Sequence, residues 1–249
     1  MKLRSTFAAC AAAFASLLPL QAAAVDCYRM GQGDVRASVC RVDLRRDRLQ
    51  LFLRDDRGRI LGGFAELEQW LGSQGRTLQF AMNAGMYRPD YTPSGLFVAD
   101  GVQQRPLVTA AGHGNFFLKP NGVFLLTASG ARIVETSEYP QLRERVLLAT
   151  QSGPLLLHAG RIHPAFRENS DSRLIRNGVG VPAQDQALFV ISDTPVNFHQ
   201  FATLFRDGLH CPDALYLDGS VSSLYAPQLG RSDRLVPLGP LIGVAAPRP

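Results

Sequence analysis

Apolar residues along this chain come in short runs of four to seven, each closed by Gly, Pro, Asn or Asp. Runs of that length bounded by turn residues read as buried strands. The runs at 39–44 and 49–53 flank a polar, arginine-rich turn and predict an opening β-hairpin, and Asp55-Asp56-Arg57-Gly58 marks the next reversal. Leu67, Trp70 and Leu71 fall at helical spacing within 65–71, with Gly72 placed to end a short helix. A strand at 78–82 runs into the small-residue loop Asn83-Ala84-Gly85-Met86-Tyr87. Two hairpins are expected next, one turning at Asp100-Gly101 after 96–99 and one joining 116–118 to 123–126 through Pro120-Asn121-Gly122.

Further along, 146–149 and 154–158 flank Gln151-Ser152-Gly153, and 179–181 pairs with 187–192 across 183–186. Asn197 is placed to cap one long helix whose Phe198, Phe201, Leu204 and Phe205 make an apolar core face, ended by Gly208. The run 214–217 is a minimal buried strand that delivers Asp218 to its C-terminal end, and 241–245 is a last strand. The expected fold is α+β, a mostly antiparallel or mixed sheet with a few helices in a single domain over 25–249.

Composition changes the picture at the N-terminus. Lys2 and Arg4, an apolar run at 7–20 and Ala22-Ala23-Ala24 have the order of a cleaved secretory signal, so residues 1–24 are expected to be removed. The run is short for a membrane span and no second one follows it. Removal takes the formal charge from +5 to +3, because Lys2 and Arg4 leave and no acidic residue does. Every other cation but Lys119 is an arginine, and these are scattered, which argues against a nucleic-acid surface. In an oxidising compartment Cys27 and Cys40 are expected to pair, with Cys211 left as a buried thiol; sequence alone leaves the connectivity open.

No HExxH, GxSxG, GxxxxGK[ST] or CxxC occurs, and His113, His158, His163, His199 and His210 have no metal-ligand spacing. No cofactor is required by the sequence; a divalent cation stays open. What stands out is a set of strand ends rich in small and polar residues: Asn83-Ala84-Gly85, Gln151-Ser152-Gly153, Arg176-Asn177-Gly178, Ser192-Asp193-Thr194 and Asp218-Gly219-Ser220. Glycine permits close backbone approach, and carboxamide, guanidinium and carboxylate groups bind hydroxyls and phosphate, so the set points to a polar, anion-tolerant pocket.

The segments MNAGMY (82–87), PSGLFVADG (93–101), NFFLKPNGVF (115–124), QSGPLLL (151–157), IRNGVGV (175–181), FVISDTPVNFHQFATLF (189–205) and ALYLDGSVSSLY (214–225) together resemble the phosphodiester glycosidase family, that of the lysosomal uncovering enzyme, and in particular its bacterial secreted members. The resemblance implies hydrolysis of a sugar-1-phosphodiester in a cell-envelope or exopolysaccharide substrate, by a periplasmic or secreted protein. It places Asn83 and Gly85 at the family's Asn-Gly-Gly loop, Arg176 at its arginine, and Asp218, Gly219 and Ser220 at its Leu-Asp-Gly-Gly-Gly-Ser segment. Ala84, Asn177-Gly178 and Ser220-Val221-Ser222 depart from that pattern. An oxocarbenium-like transition state needs a carboxylate near the anomeric carbon, and Asp218 and Asp193 are the candidates. Arg176 and Asn83 are the candidates to hold the phosphate, with Gly85, Gly219 and Ser220 lining the site. The altered glycines leave open a non-catalytic carbohydrate-binding module of the same fold.

Overall fold

The computed structural model describes residues 25–234 and 236–248, so the signal-like stretch 1–24 lies outside the described residues. Within the described residues seventeen strands form three antiparallel sheets. In chain order the first elements are β1 (Asp26–Gln32), β2 (Val35–Asp43), β3 (Leu49–Phe52), helix α1 (Phe64–Ser73), β4 (Arg76–Asn83), β5 (Phe97–Ala99) and β6 (Val102–Arg105). The middle supplies β7 (Gly122–Thr127), β8 (Gly130–Glu135), β9 (Leu148–Ser152), β10 (Leu155–His158), β11 (Arg161–Ile162), β12 (Asn177–Ala183) and β13 (Gln186–Ser192). Helix α2 (Phe198–Thr203), β14 (Asp213–Tyr216), β15 (Leu224–Ala226), β16 (Arg231–Ser232) and β17 (Leu241–Pro247) complete the chain.

A seven-stranded sheet has the order β1-β2-β13-β12-β14-β10-β11, and two five-stranded sheets run β16-β15-β4-β17-β3 and β6-β5-β9-β7-β8. One apolar core joins all three: Val42 and Phe189, Phe80 and Ile242, and Phe97 and Phe124 belong to the same buried cluster. This sheet-rich α+β architecture is the one expected from the short apolar runs. Helix α1 buries Phe64, Leu67 and Leu71 on the second sheet, and α2 packs Phe201 on the outer face of the first. Asn197 caps α2 through a capping box with Gln200, and the helix widens into a π-turn over Leu204–Gly208. Among the described residues no helix is long and apolar enough to cross a membrane.

Two expected hairpins do not form. Strand β2 is buried along most of its length and takes β1 and β13 as neighbours, while β3 pairs with β17 in another sheet. The intervening turn redirects the chain: the Asp43 N–H donates to the Asp47 carboxylate at 2.9 Å and the Asp47 N–H to the Asp43 carbonyl at 2.8 Å. Residues 115–117 form a 3₁₀ turn pinned by the Asn121 amide on the Phe116 carbonyl at 2.6 Å, so β7 pairs with β8 and β9. The hairpins β5–β6 and β12–β13 do form. Strand β1, absent from the sequence reading, holds Cys27 opposite Cys40, and a disulfide joins them. Cys211 is a buried free thiol, pushed up to about 12 by its apolar surroundings.

Candidate active site

The seven-stranded sheet and the sheet of β4 meet where β4 ends, β12 begins and β14 ends. Asn83 closes β4 with 1% of its surface exposed, and Asn177 opens β12 fully buried. The Asn83 amide donates to the Asp218 carbonyl at 2.8 Å, and its Oδ1 accepts from the Ser223 N–H at 2.9 Å and from the Asn177 amide at 3.0 Å. Ser222 Oγ in turn donates to Asn177 Oδ1 at 3.1 Å. This network ties the segment after β14 to the ends of two sheets. It occupies the Asn83 side chain with protein partners, which makes Asn83 a fastener of the Asp218 segment. Gly85 is likewise buried, its N–H on Thr150 Oγ1 at 3.2 Å, and a Cβ there would collide with the Gln151 carbonyl. Its glycine identity therefore belongs to the close approach of this loop to β9.

Asp218 follows β14 and is half-buried. Its Oδ1 accepts from the Ser220 N–H at 3.2 Å, which starts the short 3₁₀ turn Gly219–Val221. Burial pushes the carboxyl above its ordinary value, and the Ser220 bonds pull it back in part. Two phenols lie in its field: burial, then the Asp218 charge, push Tyr87 up to about 12, and Tyr216 is raised first by burial as well. Gly219 sits directly on the Tyr216 ring, where a Cβ would overlap the hydroxyl.

Arg176 is 1% exposed, and none of its polar contacts is a carboxylate. Its guanidinium donates to the Val196 and Ser172 carbonyls, each at 2.9 Å, and reaches Tyr216 Oη at 3.5 Å. It lies 3.7 Å over the Phe198 ring, which stacks on Phe166, which stacks on His163. Burial lowers its pKa, yet an arginine stays protonated.

Asp193 stands apart from this network. Its carboxylate accepts from Ser38 Oγ at 3.0 Å and Arg231 Nη1 at 2.6 Å, and Arg231 also holds Asp233 at 2.9 Å. Asp193, Gly219 and Ser220 line a common open cavity of about 1200 Å³ together with Arg29, Arg36 and Arg231. Asn83, Gly85, Arg176 and Asp218 are not among its lining residues. Tyr216 and Arg231 are the participants not singled out by the sequence, and Asn177 and Ser222 stand out there as loop chemistry and as departures from the family pattern, without a role. Tyr216 reads as one more apolar strand residue, and only its phenol distinguishes it. Among the described residues no three His, Cys, Asp or Glu side chains gather as a metal cluster.

Comparison with known proteins extends these observations. A phosphodiester glycosidase profile matches residues 76–238. The uncharacterized protein YigE of Escherichia coli (strain K12) is 35% identical over 210 residues, covering 84% of this chain and 82% of its own. The catalytic domain of zebrafish N-acetylglucosamine-1-phosphodiester alpha-N-acetylglucosaminidase, in a state auto-inhibited by its pro-peptide, superposes with a TM-score of 0.59 at 14% identity. That superposition covers 88% of this chain and 81% of the zebrafish one, a likeness of fold. The profile match spans more than half of the chain and takes in β4, Arg176 and the Asp218 turn, so this chain belongs to the phosphodiester glycosidase family.

Proposed function

We propose that this chain is an exported hydrolase that breaks the bond between the anomeric carbon of a sugar and the bridging oxygen of its 1-phosphodiester. Water supplies the hydroxyl that ends on the sugar; the bridging oxygen leaves with phosphorus and takes the proton, giving a phosphomonoester. The observation that carries this reading is Asp218: a half-buried carboxylate at a strand end, held by the buried Asn83–Asn177–Ser222 network and raised by burial. An ionised carboxylate there stabilises the oxocarbenium-like state or directs the attacking water. A phosphodiester leaves readily without prior protonation, so a second carboxylic acid is dispensable. Arg176 supports the anionic side of the reaction, because its buried positive charge has no carboxylate partner. The Cys27–Cys40 disulfide and the signal-like start support a periplasmic or secreted location.

The test is hydrolysis of a panel of sugar-1-phosphodiesters by protein starting at Val25, with and without EDTA, beside Asp218→Asn. Turnover by the parent and none by a folded Asp218→Asn variant is the expected result. Equal turnover by both removes Asp218 from the chemistry. Binding without product across the panel favours a carbohydrate-binding module of the same fold.

A further inference from the structure

The cavity beside the Asp218 turn has features that cleavage of one small sugar phosphate does not use. Its volume of about 1200 Å³ exceeds the ~300–1,000 Å³ of an ordinary small-molecule pocket. Leu174 and Val236 both line it, and they are two of the four large apolar side chains left exposed among the described residues. Exposed apolar side chains gathered at one cavity mark a contact surface, and the C–H faces of sugar rings fit them.

The charged groups are arranged unevenly. Both lining carboxylates, Asp193 and Asp233, are held on Arg231 at 2.6 and 2.9 Å. Arg29 and Arg36 contact only carbonyls: Arg29 reaches Leu229 at 3.2 Å, and Arg36 reaches Gly33 at 2.6 Å and Val35 at 3.0 Å. Both are exposed, so the cavity is lined by two guanidinium groups with no carboxylate partner among the described residues. The Asp218 turn also lines this cavity, through Gly219–Ser222, so the candidate reacting centre adjoins it.

We propose that this cavity is a subsite for a polyanionic glycan, in which Arg29 and Arg36 take negative charges of the chain beyond the bond that is broken, and Leu174 and Val236 take ring faces. The substrate part of this inference rests on the hydrolase reading; the binding part does not. A chain with repeating phosphate or uronate groups meets both requirements, whereas a neutral glycan leaves the two arginines unused.

The experiment measures binding to the whole protein, by fluorescence anisotropy, of labelled polyphosphate, labelled polygalacturonate and labelled neutral dextran, without any need for turnover. Both polyanions are expected to bind and dextran not. Arg29→Ala/Arg36→Ala should weaken both at least tenfold and lower the slope of log Kd against log salt by ~1.4, taking ~0.7 per contact for a flexible polyanion. Leu174→Ser should weaken polygalacturonate alone. The control is Arg57→Ala/Arg248→Ala, two exposed arginines on the α1 side, where Asp56 accepts from Trp70 and the Arg248 N–H bonds Gly75. Equal weakening by the two double variants would reduce the effect to diffuse charge and overturn the subsite, as would failure of both polyanions to bind. Because the readout is binding, a silent hydrolysis panel does not decide it, and an active panel does not rescue it.

Discussion

Replacing Asn83 by Asp tests whether this residue fastens the Asp218 segment, because the change is nearly isosteric and alters one bond. Oδ1 keeps the Ser223 N–H and the Asn177 amide at 2.9 and 3.0 Å, but the amide that donates to the Asp218 carbonyl at 2.8 Å becomes an oxygen. Protonated, the new carboxyl donates to that carbonyl as the amide did; ionised, it sets two acceptors against each other in a site 1% exposed. The folded-state pKa of the new carboxyl is therefore raised above its unfolded value of about 3.9. A group of that kind contributes nothing adverse below the unfolded pKa and costs about 1.4 kcal/mol per pH unit above it, up to the folded pKa. By pH 6.5 the ceiling is about 3.5 kcal/mol, and the two retained donors, which favour the charged form, hold the expected cost to about 2–3 kcal/mol. Urea unfolding followed by the fluorescence of Trp70, the sole tryptophan, reads it directly. The stability deficit of Asn83→Asp against the parent should widen by that amount between pH 4 and pH 6.5. Asn83→Ala, which strands the Asp218 carbonyl and the Ser223 N–H, should lose about 2–3 kcal/mol at both pH values. A deficit for Asn83→Asp that does not change with pH, or an Asn83→Ala variant within about 0.5 kcal/mol of the parent, would refute the fastening role.

Burial raises Asp218, so if its carboxylate is the working form, kcat/KM should fall as pH drops through a midpoint above the ordinary 3.8; a pH profile with its acid limb at or below 3.8 contradicts this. Gly219→Ala drives a methyl into the Tyr216 hydroxyl and should cost about 1–3 kcal/mol, and adding Tyr216→Phe, which removes that hydroxyl, should recover part of it. No recovery in the double-mutant cycle would locate the strain elsewhere. Cys27→Ser/Cys40→Ser opens a link between residues 13 apart and should lower stability by at most about 3 kcal/mol. Identical urea midpoints with and without the disulfide would show that the β1–β2 register alone holds this edge.

The strands that were legible are those with apolar residues on both faces. Leu78, Phe80 and Met82 in β4 and Leu188, Phe189 and Val190 in β13 are buried, and their runs stand out without knowledge of any partner. Strand β1 was not legible because none of its residues is fully buried: Cys27, Tyr28 and Met30 are half-buried and Arg29 is exposed, as at a sheet edge. Pairing was the weaker inference. Adjacent runs suggest hairpins, but β2 and β3 each find partners far along the chain, a long-range choice that local turn residues do not encode. At the site, glycine and carboxylate positions were visible as loop chemistry, while the work of Tyr216 was hidden inside an apolar strand and that of Arg231 in a scatter of arginines.

The departures from the family pattern become a single physical change once the hydrogen bonds are traced. Asn177 departs from the residue that the resemblance places after the arginine, and Ser222 stands in what it places as a glycine-rich end. The Ser222 hydroxyl donates to Asn177 Oδ1, and the Asn177 amide donates to Asn83 Oδ1. The Ser222 hydroxyl thus satisfies the Asn177 carbonyl oxygen in a fully buried position, where an unpaired amide is costly, while Ser222 itself also has the Ile175 and Gly219 carbonyls within reach at 3.3 and 3.2 Å. Asn177 is the member that depends on the pair, and together the two brace the strand end that carries Asp218. The same strand end faces Arg176, whose charge is held by two carbonyls and the Phe198 ring with no carboxylate to neutralise it. Arg176 Nη1 reaches the Tyr216 hydroxyl at 3.5 Å, so the braced strand end also packs against a buried guanidinium that has no carboxylate partner among the described residues.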